Sequence, residues 1–516
     1  MADILDEIVE RRREDYARLG PCFGVDVPLQ RARPIVPFLK ETGAILEIKR
    51  ASPSKGDIAP DLDPVSLARS YESSGARCVS VLTEQRFFKG SLNDLIAVSS
   101  ACSSLSFLRK DFLLYEDEID VAYRSGADAV LLIARILDAP LLLKMAARCR
   151  SFGMLPFIEV REAGDLAKLE AASKAGTVLA GVNSRDLATF HIDPLIPAAL
   201  RNRLPCRTVF ESGASTPLAC RFARRLGFDG ILIGEAAAKN PEKAASLVRG
   251  FVDARPDWVG HFWREVGRRS AACGEEKRPL VKICGLTNEE DALLAADLGA
   301  DLLGFVFAPS PRSADPRKVR DIAARLTARS RLPASECVGA LSSPVSRPRK
   351  TPLRPLLIGV VTDLDSDQGR DALALALDGV LDGIQFHGDD PRAGLDRIEE
   401  AGGSYGIGRY AVVRLGSEDD LELIQDLRRD GEPRVLLDAR VEGLAGGTGT
   451  SIPRRLVRLA ADAGTLWLAG GLHPGNVRSC IDEFSPALID ASSGLESVPG
   501  KKDHALMKSY FREIFR

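Results

Sequence analysis

The sequence predicts an α/β protein of two tandem (β/α)8 barrels, the TIM-barrel architecture, and three observations support this. Eight apolar strand candidates precede residue 240, and eight more lie between residues 281 and 492. A glycine followed by a β-rich apolar run recurs as GADAVLLIA, GFDGILIG, GADLLGFVF and GVLDGIQFHG. Glycine ends a helix and the run enters a strand, so these junctions indicate a parallel sheet. Charged residues end several of the candidate strands, where barrel enzymes place their active sites.

Composition narrows the class of protein. The chain of 516 residues, 45% hydrophobic and 28% charged, is typical of a globular protein and long enough for two barrels of about 250 residues each. A net charge of −2 argues against a dedicated nucleic-acid-binding protein. Neither a signal peptide nor a membrane-spanning segment is indicated, so a cytoplasmic protein is expected. The chain is also expected to be a monomer. The ten cysteines lack zinc-site spacing, and neither a metal nor a cofactor is expected.

The strand count divides the chain into a first barrel (1–255), a connector without a strand (256–278) and a second barrel (279–516). Residues 328–355 form an insertion rich in proline, serine and arginine, much longer than the usual αβ connection of about 2–6 residues. It should lie at the bottom of the barrel, away from the active-site face. A basic docking loop is one reading, but a solvated insertion is favoured, and no function is assigned to it.

In the first half, Lys49, Lys110 and Glu159 end the first, third and fifth strand candidates. A strand buried on both faces cannot carry a charge at its centre without a large desolvation cost, so charges at its end indicate a polar cavity. Asn183 and Arg185 follow the sixth strand, and the guanidinium of arginine suits a planar carboxylate. A single such lysine is more often a surface residue, but the convergence of these groups favours a site in which lysine and glutamate divide acid and base roles.

The seventh and eighth strand candidates end in residues suited to binding phosphate. Glu211, Ser212 and Gly213 end the seventh strand, and Gly234 ends the eighth. Glycines at these two positions allow backbone N–H groups to approach a phosphate closely. The predicted substrate is therefore a phosphorylated anion.

The motifs EIKRASPSKG, SVLTE with FFKGS, LRKDF, GADAVLLIA, VNSRDL, ESG and IGEA together resemble indole-3-glycerol-phosphate synthase over nearly all of residues 1–255. The resemblance implies ring closure of a carboxyphenylamino-deoxyribulose phosphate with decarboxylation and dehydration. It also implies that Lys110 is the general acid, that Glu159 takes part in dehydration and that Lys49 holds an anionic group. The implied catalytic residues are Glu47, Lys49, Lys110, Glu159 and Asn183; the implied substrate-binding residues are Ser52, Arg185, Glu211, Ser212, Gly213 and Gly234. The fifth strand reads FIEV where many relatives have LVEV.

The second half places different chemistry at its strand ends. Cys284 ends the first strand in VKICGLTN, and Asp438 ends the sixth in RVLLDA. A lone buried cysteine is more often structural, but one opposite a lone carboxyl group at the active-site face is a plausible base and acid pair. AGGLHPGNV and DASSGLE place glycine and serine after the seventh and eighth strands, as a second phosphate site requires. GGTGT (446–450) could be a lid, although such a cluster is more often a turn, and His387 is expected to be structural.

The segments KICGLT, SPR, QFHG, LLDA, GGTGT, LAGGLHPGNV and DASSGLE resemble phosphoribosylanthranilate isomerase over roughly 279–516. That family performs an Amadori rearrangement without a cofactor. The resemblance implies that Cys284 is the base that removes the C2 proton and that Asp438 is the acid that protonates the ring oxygen. The implied substrate contacts are Arg312 on the anthranilate carboxylate and Gly470, Gly471, Ser493 and Gly494 around the phosphate. The insertion, VVTD for VFVN and GKKD for GVKD depart from the family pattern.

The product of the second resemblance is the substrate of the first, so together they imply a fused enzyme of tryptophan biosynthesis that binds phosphorylated anthranilate derivatives. Two rival readings stay open. One barrel could be an inactive scaffold or regulatory binder, although Lys110, Glu159, Cys284 and Asp438 are all present. Alternatively, the chain could be another phosphosugar-handling barrel enzyme, such as a histidine-pathway isomerase, which would be expected to have aspartate at position 284.

Overall fold

The computed structural model describes residues 4–186, 189–330, 354–439, 452–462 and 464–516. The chain forms two compact units, Met1–Pro256 and Asp257–Arg516. Each unit contains one closed barrel of eight parallel strands surrounded by helices, which confirms the predicted fold class. Most of the predicted insertion and the whole GGTGT segment lie outside the described residues.

In the first barrel each strand pairs with its neighbours in the chain, and the first strand pairs with the eighth to close the sheet, with Ala44 opposite Ile231. The strands are short and almost wholly buried, as expected of a parallel sheet covered by helices. They are β1 (Gly43–Ile48), β2 (Cys78–Leu82), β3 (Ser106–Lys110), β4 (Ala129–Ile133), β5 (Leu155–Val160), β6 (Leu179–Asn183), β7 (Arg207–Glu211) and β8 (Gly230–Ile233).

Polar caps begin several helices of this unit. Asp63, Ser91, Asp138 and Thr216 each accept a hydrogen bond from a backbone N–H of the first turn, which satisfies a donor that has no partner within the helix. The helices are α1 (Ile4–Leu19), α2 (Pro64–Ser73), α3 (Leu92–Ala101), α4 (Asp117–Arg124), α5 (Ala139–Ser151), α6 (Leu166–Lys174), α7 (Leu195–Leu200), α8 (Pro217–Arg225), α9 (Glu235–Lys239) and α10 (Ala244–Val252).

The second barrel has the same strand order and closes through its first and eighth strands, with Lys282 opposite Asp490. Its strands are β9 (Leu280–Ile283), β10 (Leu302–Phe307), β11 (Leu356–Val361), β12 (Gly383–Phe386), β13 (Gly408–Leu415), β14 (Val435–Ala439), β15 (Trp467–Leu468) and β16 (Leu488–Ala491). Its helices are α11 (Trp258–Glu275), α12 (Glu289–Leu298), α13 (Pro316–Ser330), α14 (Asp367–Leu377), α15 (Pro391–Gly402), α16 (Asp419–Asp430), α17 (Arg454–Asp462), α18 (Val477–Phe484) and α19 (His504–Ile514). None of the helices that the structure describes is long and apolar enough to cross a membrane.

The segment read from sequence as a connector, 256–278, folds largely as helix α11 of the second unit. Phe262 and Trp263 on this helix are buried, and their rings lie 6.5 Å from Tyr410 and 5.9 Å from Trp467 between ring centroids. Phe262 also lies against Gly408, the first residue of β13. Helix α11 therefore packs against the N-terminal ends of barrel strands, opposite the end where the predicted site residues lie.

Candidate active sites

A lysine and two glutamates meet at the C-terminal end of the first barrel. Lys110 ends β3, Glu159 lies near the end of β5 and Glu211 ends β7. The Lys110 Nζ lies 2.7 Å from Glu211 Oε2 and 3.5 Å from Glu159 Oε2. The structure thus brings together three of the predicted residues as a compact set of ion pairs.

Burial and charge act against each other in this set. Burial disfavours the Lys110 ammonium, but the carboxylates of Glu211, Glu159 and Glu47 outweigh it, and the pKa of Lys110 is raised above its ordinary value. Burial raises the pKa of Glu211 to about 7, with Lys110 opposing and Glu159 reinforcing the shift. Lys110 is therefore a cation at neutral pH, and burial makes Glu211 a weaker acid than an exposed glutamate, which favours a role in proton transfer.

The second oxygen of Glu211 faces a residue that the sequence analysis did not select. Glu211 Oε1 is buried and has no hydrogen-bond partner among the described residues. It lies against Gly181 of β6, where an added Cβ would overlap this oxygen. Gly181 therefore leaves room for the carboxylate. The register pairs Glu211 with Asn183, two residues after Gly181, so this contact depends on the direction of the Glu211 side chain.

A second pair of charges lies at the end of β1. Glu47 is buried, and its Oε2 accepts a hydrogen bond from Ser80 of β2 at 3.2 Å, while its Oε1 lies 3.4 Å from Lys49 Nζ. An added Cβ on Gly234 would lie 2.7 Å from Glu47 Oε1, so this glycine gives the carboxylate its space. Ser80 escaped the sequence analysis because a serine inside an apolar strand carries no signal of its own.

Asn183 connects Glu159 to the loop after β7. Its Nδ2 donates to Glu159 Oε1 at 3.2 Å, and its Oδ1 accepts from Ser212 Oγ at 2.9 Å and from the Arg185 N–H at 3.0 Å. Burial lowers the pKa of Arg185, whose guanidinium donates to the Phe190 carbonyl at 3.4 Å. One amide thus fixes the orientation of a glutamate, a serine and the backbone of the predicted carboxylate-binding arginine.

The remaining predicted residues of the first barrel lie on loops at the same end. Ser212 and Gly213 both adopt left-handed backbone conformations, with φ of 67° and 81°. Ser52 is buried in a short antiparallel pair, Ala51–Ser52 with Gly56–Asp57, which follows β1. No hydrogen bond of the Ser52 hydroxyl to another predicted residue is present among the described residues.

In the second barrel Cys284 directly follows β9, and its backbone N–H donates to the Ala491 carbonyl at 2.9 Å. Its sulfur lies against Gly304 of β10, where an added Cβ would be 2.7 Å from Sγ. Burial raises the pKa of the Cys284 thiol, and the charge of Lys282 partly opposes this shift. The thiol therefore needs help from its surroundings to act as a base at neutral pH.

Asp438 lies near the end of β14, 8% exposed. Burial raises its pKa to about 6, although the Ala439 N–H donates to its Oδ1 at 2.9 Å and stabilises the ionised form. His387 Nε2 lies 3.5 Å from Asp438 Oδ2, and burial lowers the pKa of His387 to about 3, so the ring is neutral. His387 has no assigned role on sequence grounds, because a lone histidine after a strand is more often a hydrogen-bonded structural residue.

Arg312 is held by a glutamate that the sequence analysis did not select. Its Nε lies 2.9 Å from Glu496 Oε1 and its Nη2 lies 2.8 Å from Glu496 Oε2. Lys502 Nζ lies 3.0 Å from the same Oε1. Glu496 therefore orients two cations beside the site. It stands within the DASSGLE motif, from which only the serine and glycine were selected.

The loops after β15 and β16 contact each other directly. Gly470 and Gly471 have φ of 92° and 62°, and Asn476 Nδ2 donates to the Gly471 carbonyl at 2.8 Å. Ser493 begins a 3-10 turn, and an added Cβ on Gly494 would overlap the Leu472 carbonyl oxygen. This close approach brings the predicted phosphate-binding segments together.

No group of three or more His, Cys, Asp or Glu side chains suited to a metal ion occurs in the described parts of the chain.

Two family models match the sequence. Residues 31–249 match indole-3-glycerol phosphate synthase, and residues 340–513 match N-(5'-phosphoribosyl)anthranilate isomerase. The second match begins after Cys284 and Arg312, so these two residues lie outside it.

Curated relatives resemble either the whole chain or its first half. The multifunctional tryptophan biosynthesis protein of Phanerodontia chrysosporium is 31% identical over 90% of this chain and 62% of its own length. The protein of the same description from Phycomyces blakesleeanus is 32% identical over 93% of this chain and 63% of its own length. The chain thus spans less than two thirds of these relatives. The indole-3-glycerol phosphate synthase of Mycobacterium leprae (strain TN) is 38% identical over 48% of this chain and 93% of its own length.

Proposed function

Because this chain belongs to the indole-3-glycerol phosphate synthase family in its N-terminal half, and its residues 340–513 match the model of N-(5'-phosphoribosyl)anthranilate isomerase, we propose that it is a bifunctional enzyme of tryptophan biosynthesis. The C-terminal barrel isomerises N-(5'-phosphoribosyl)anthranilate to 1-(2-carboxyphenylamino)-1-deoxyribulose 5-phosphate. The N-terminal barrel closes the indole ring of that product and acts as a carbon–carbon lyase. Residues 1–255 and 279–516 carry the two activities.

In the C-terminal barrel, Asp438 donates a proton to the ribose ring oxygen, and the ring opens to an iminium ion. The Cys284 thiolate then removes the proton from C2, and the resulting enolamine tautomerises to the ketone. The pKa of about 6 for Asp438, raised by burial, supports its role as the acid. Arg312, oriented by Glu496, binds the anthranilate carboxylate, and the backbone of Gly470, Gly471, Ser493 and Gly494 binds the phosphate.

In the N-terminal barrel, the Lys110 ammonium protonates the ketose carbonyl oxygen while the ring carbon that carries the carboxylate attacks the carbonyl carbon. Loss of carbon dioxide restores the aromatic ring, and loss of the hydroxyl group as water completes the indole. Glu159 exchanges the proton during dehydration, and its contact with Asn183 supports this by fixing its orientation. Glu211 contacts Lys110 and the substrate.

Other residues bind the substrate of the first barrel. Glu47 and Lys49 form a pair at β1 in which Lys49 holds an anionic group of the substrate. Ser52 and Arg185 lie beside the anthranilate moiety. Ser212, Gly213 and Gly234 line the phosphate end, and the first two have left-handed backbone conformations, which occur in anion-binding loops.

The observation that carries the proposal is the ion-paired set of Lys110, Glu159 and Glu211 inside one end of a closed barrel. A positively charged lysine between two carboxylates, one of which has its pKa raised by burial, is suited to moving protons to and from a bound carbonyl compound. We propose further that the enzyme acts without a cofactor, as a monomer, in the cytoplasm.

A test supplies the purified chain with phosphoribosylanthranilate generated in situ and follows its loss together with the appearance of indoleglycerol phosphate. Lys110→Ala should accumulate the ketose intermediate, whereas Cys284→Ala should leave the first substrate unconsumed but still convert added intermediate. Lys144→Ala, on an exposed lysine of α5, is the matched control and should keep both activities. Absence of both reactions in the unaltered chain would refute the function.

A further inference from the structure

The interior of the second barrel contains a buried ion pair that the mechanism above does not use. Lys282 on β9 is fully buried, Asp490 on β16 is 7% exposed, and Lys282 Nζ lies 2.5 Å from Asp490 Oδ2. The two residues face each other across the pair of strands that closes the barrel. Asp490 Oδ1 is buried and has no hydrogen-bond partner among the described residues.

This pair lies directly below the predicted base. Lys282 precedes Cys284 by two residues on one extended segment, so both side chains point to the same side of the sheet, into the barrel. Tyr410 of β13 lies in the same interior region, and its hydroxyl donates to Gln385 Oε1 at 2.9 Å. A polar layer of four side chains thus underlies the site.

Stability does not account for the pair. Barrel interiors are usually filled by branched apolar side chains. Removing two charges from water carries a desolvation cost that their attraction often does not recover, and apolar replacements of buried ion pairs are frequently neutral or stabilising. A pair at this position therefore calls for a role in the chemistry above it.

We propose, on the basis of the isomerase activity proposed above, that Lys282 and Asp490 are positioning residues that set the electric field in which Cys284 and Asp438 exchange protons. The positive end of this ion pair lies on β9 and the negative end on β16. The ammonium of Lys282 belongs to the strand that leads into Cys284, and its charge favours the thiolate that removes the C2 proton, whereas the carboxylate of Asp490 disfavours it.

The charges that act on the Cys284 thiol and on the Asp438 carboxyl are consistent with this arrangement of the pair. Burial raises the pKa of Cys284, Lys282 opposes that shift, Asp490 adds to it, and Lys502 also opposes it. Tyr410 is the further titratable group near the sulfur. For Asp438, burial and Asp490 raise the pKa, and Lys282 and Arg414 lower it. Removing the charge of Lys282 should therefore raise the pKa of both Cys284 and Asp438.

The test measures the rate of Cys284 alkylation by iodoacetamide as a function of pH, with the Cys284 peptide resolved by mass spectrometry. Lys282→Met should raise the midpoint of this profile by about one pH unit or more, since a neighbouring opposite charge shifts a pKa by about 1–3 units. In the pH profile of kcat/KM for the isomerase, both the limb set by Cys284 and the limb set by Asp438 should move to higher pH. The double variant Lys282→Met/Asp490→Leu, which leaves no unpaired charge, should also move upward, by a smaller amount.

Arg278→Met is the matched control, because it breaks another buried ion pair of this unit, 2.8 Å to Asp301, at the opposite ends of the strands. Its alkylation midpoint should equal that of the unaltered chain. An unchanged midpoint in folded Lys282→Met, or an equal shift in Arg278→Met, would overturn the proposal, as would failure of both Lys282 variants to fold. Alkylation needs no turnover, so an unaltered chain without isomerase activity would refute the proposed function while the effect of Lys282 on the thiol is still measured.

Discussion

Replacing Arg12 should weaken the first barrel at the loop that carries Lys110. Arg12 on α1 is buried, and its Nη2 lies 2.9 Å from Asp111 Oδ2 and 3.1 Å from Glu118 Oε1. Its Nε donates to the Phe112 carbonyl at 3.3 Å. Asp111 follows Lys110 directly, so Arg12→Met leaves two buried carboxylates near the loop after β3, with Arg109 as their remaining cation among the described residues.

The size of the effect follows from the burial of all the partners. Breaking a buried ion pair by removing one member costs about 3–5 kcal/mol, because the other charge stays buried without its partner. The calorimetric unfolding transition of the first unit should therefore fall to lower temperature, while that of the second unit stays unchanged. Because the loop after β3 is loosened, kcat for ring closure should also fall while isomerisation continues.

Arg11 supplies the control from the neighbouring position. It is exposed, and its pair with Glu14 at 2.8 Å lies on the same helix, so Arg11→Met should have no measurable effect on unfolding, as is usual for surface ion pairs. Equal effects of the two substitutions would refute the reasoning, because they would show that the loss of any arginine from α1, rather than of the buried network, controls this unit.

Three further predictions concern the second barrel and the chemistry as a whole. Asp438→Asn should abolish isomerisation. It should also stabilise the second unit by up to about 3 kcal/mol at pH 8, because a carboxyl whose pKa is raised to about 6 in the folded state loses stability as the pH rises through that value; the gain should shrink between about pH 6 and pH 4, which pH-dependent calorimetry checks. Gly494→Ala should raise KM for the isomerase substrate and lower the free energy of unfolding by about 1–3 kcal/mol, because the added Cβ would overlap the Leu472 carbonyl oxygen. Gly274→Ala on α11, where the added Cβ meets nothing within 4 Å, should stabilise the unit slightly, and steady-state kinetics and melting curves compare the two variants. Incubation with EDTA should leave both reaction rates unchanged, and a loss of either would contradict the expectation that no metal takes part.

The positions of Lys110, Glu159 and Glu211 could be predicted because each belongs to an apolar run that ends in a charge, and the fold brings all such ends to one face. The eight strand candidates in each half predicted a (β/α)8 barrel, and in this fold strands that follow each other in the chain are neighbours in the sheet, as the structure has them. Which lysine pairs with which glutamate could not be read, because that depends on side-chain direction and on strand register.

Contacts between distant parts of the chain were also beyond the sequence pattern. Arg312 and Glu496 are separated by 184 positions and meet only because the ends of the barrel come together. Lys282 reads as an ordinary alternating residue of VKIC until β16 closes on β9 and places Asp490 beside it. A short apolar run shows that a strand is buried, but not which of its polar residues has a partner inside.

Helix α11 determines where the chain can be divided. Phe262 and Trp263 lie on the segment between the predicted barrels, yet they pack against Tyr410 and Trp467. A fragment that begins at residue 279 would lose the cover of these rings, each of which buries about 150–250 Å², or roughly 4–6 kcal/mol per ring as an upper figure. A gene split for separate expression, or for exchange of one half with another enzyme, should therefore cut between Pro256 and Asp257, so that the helix stays with the second barrel.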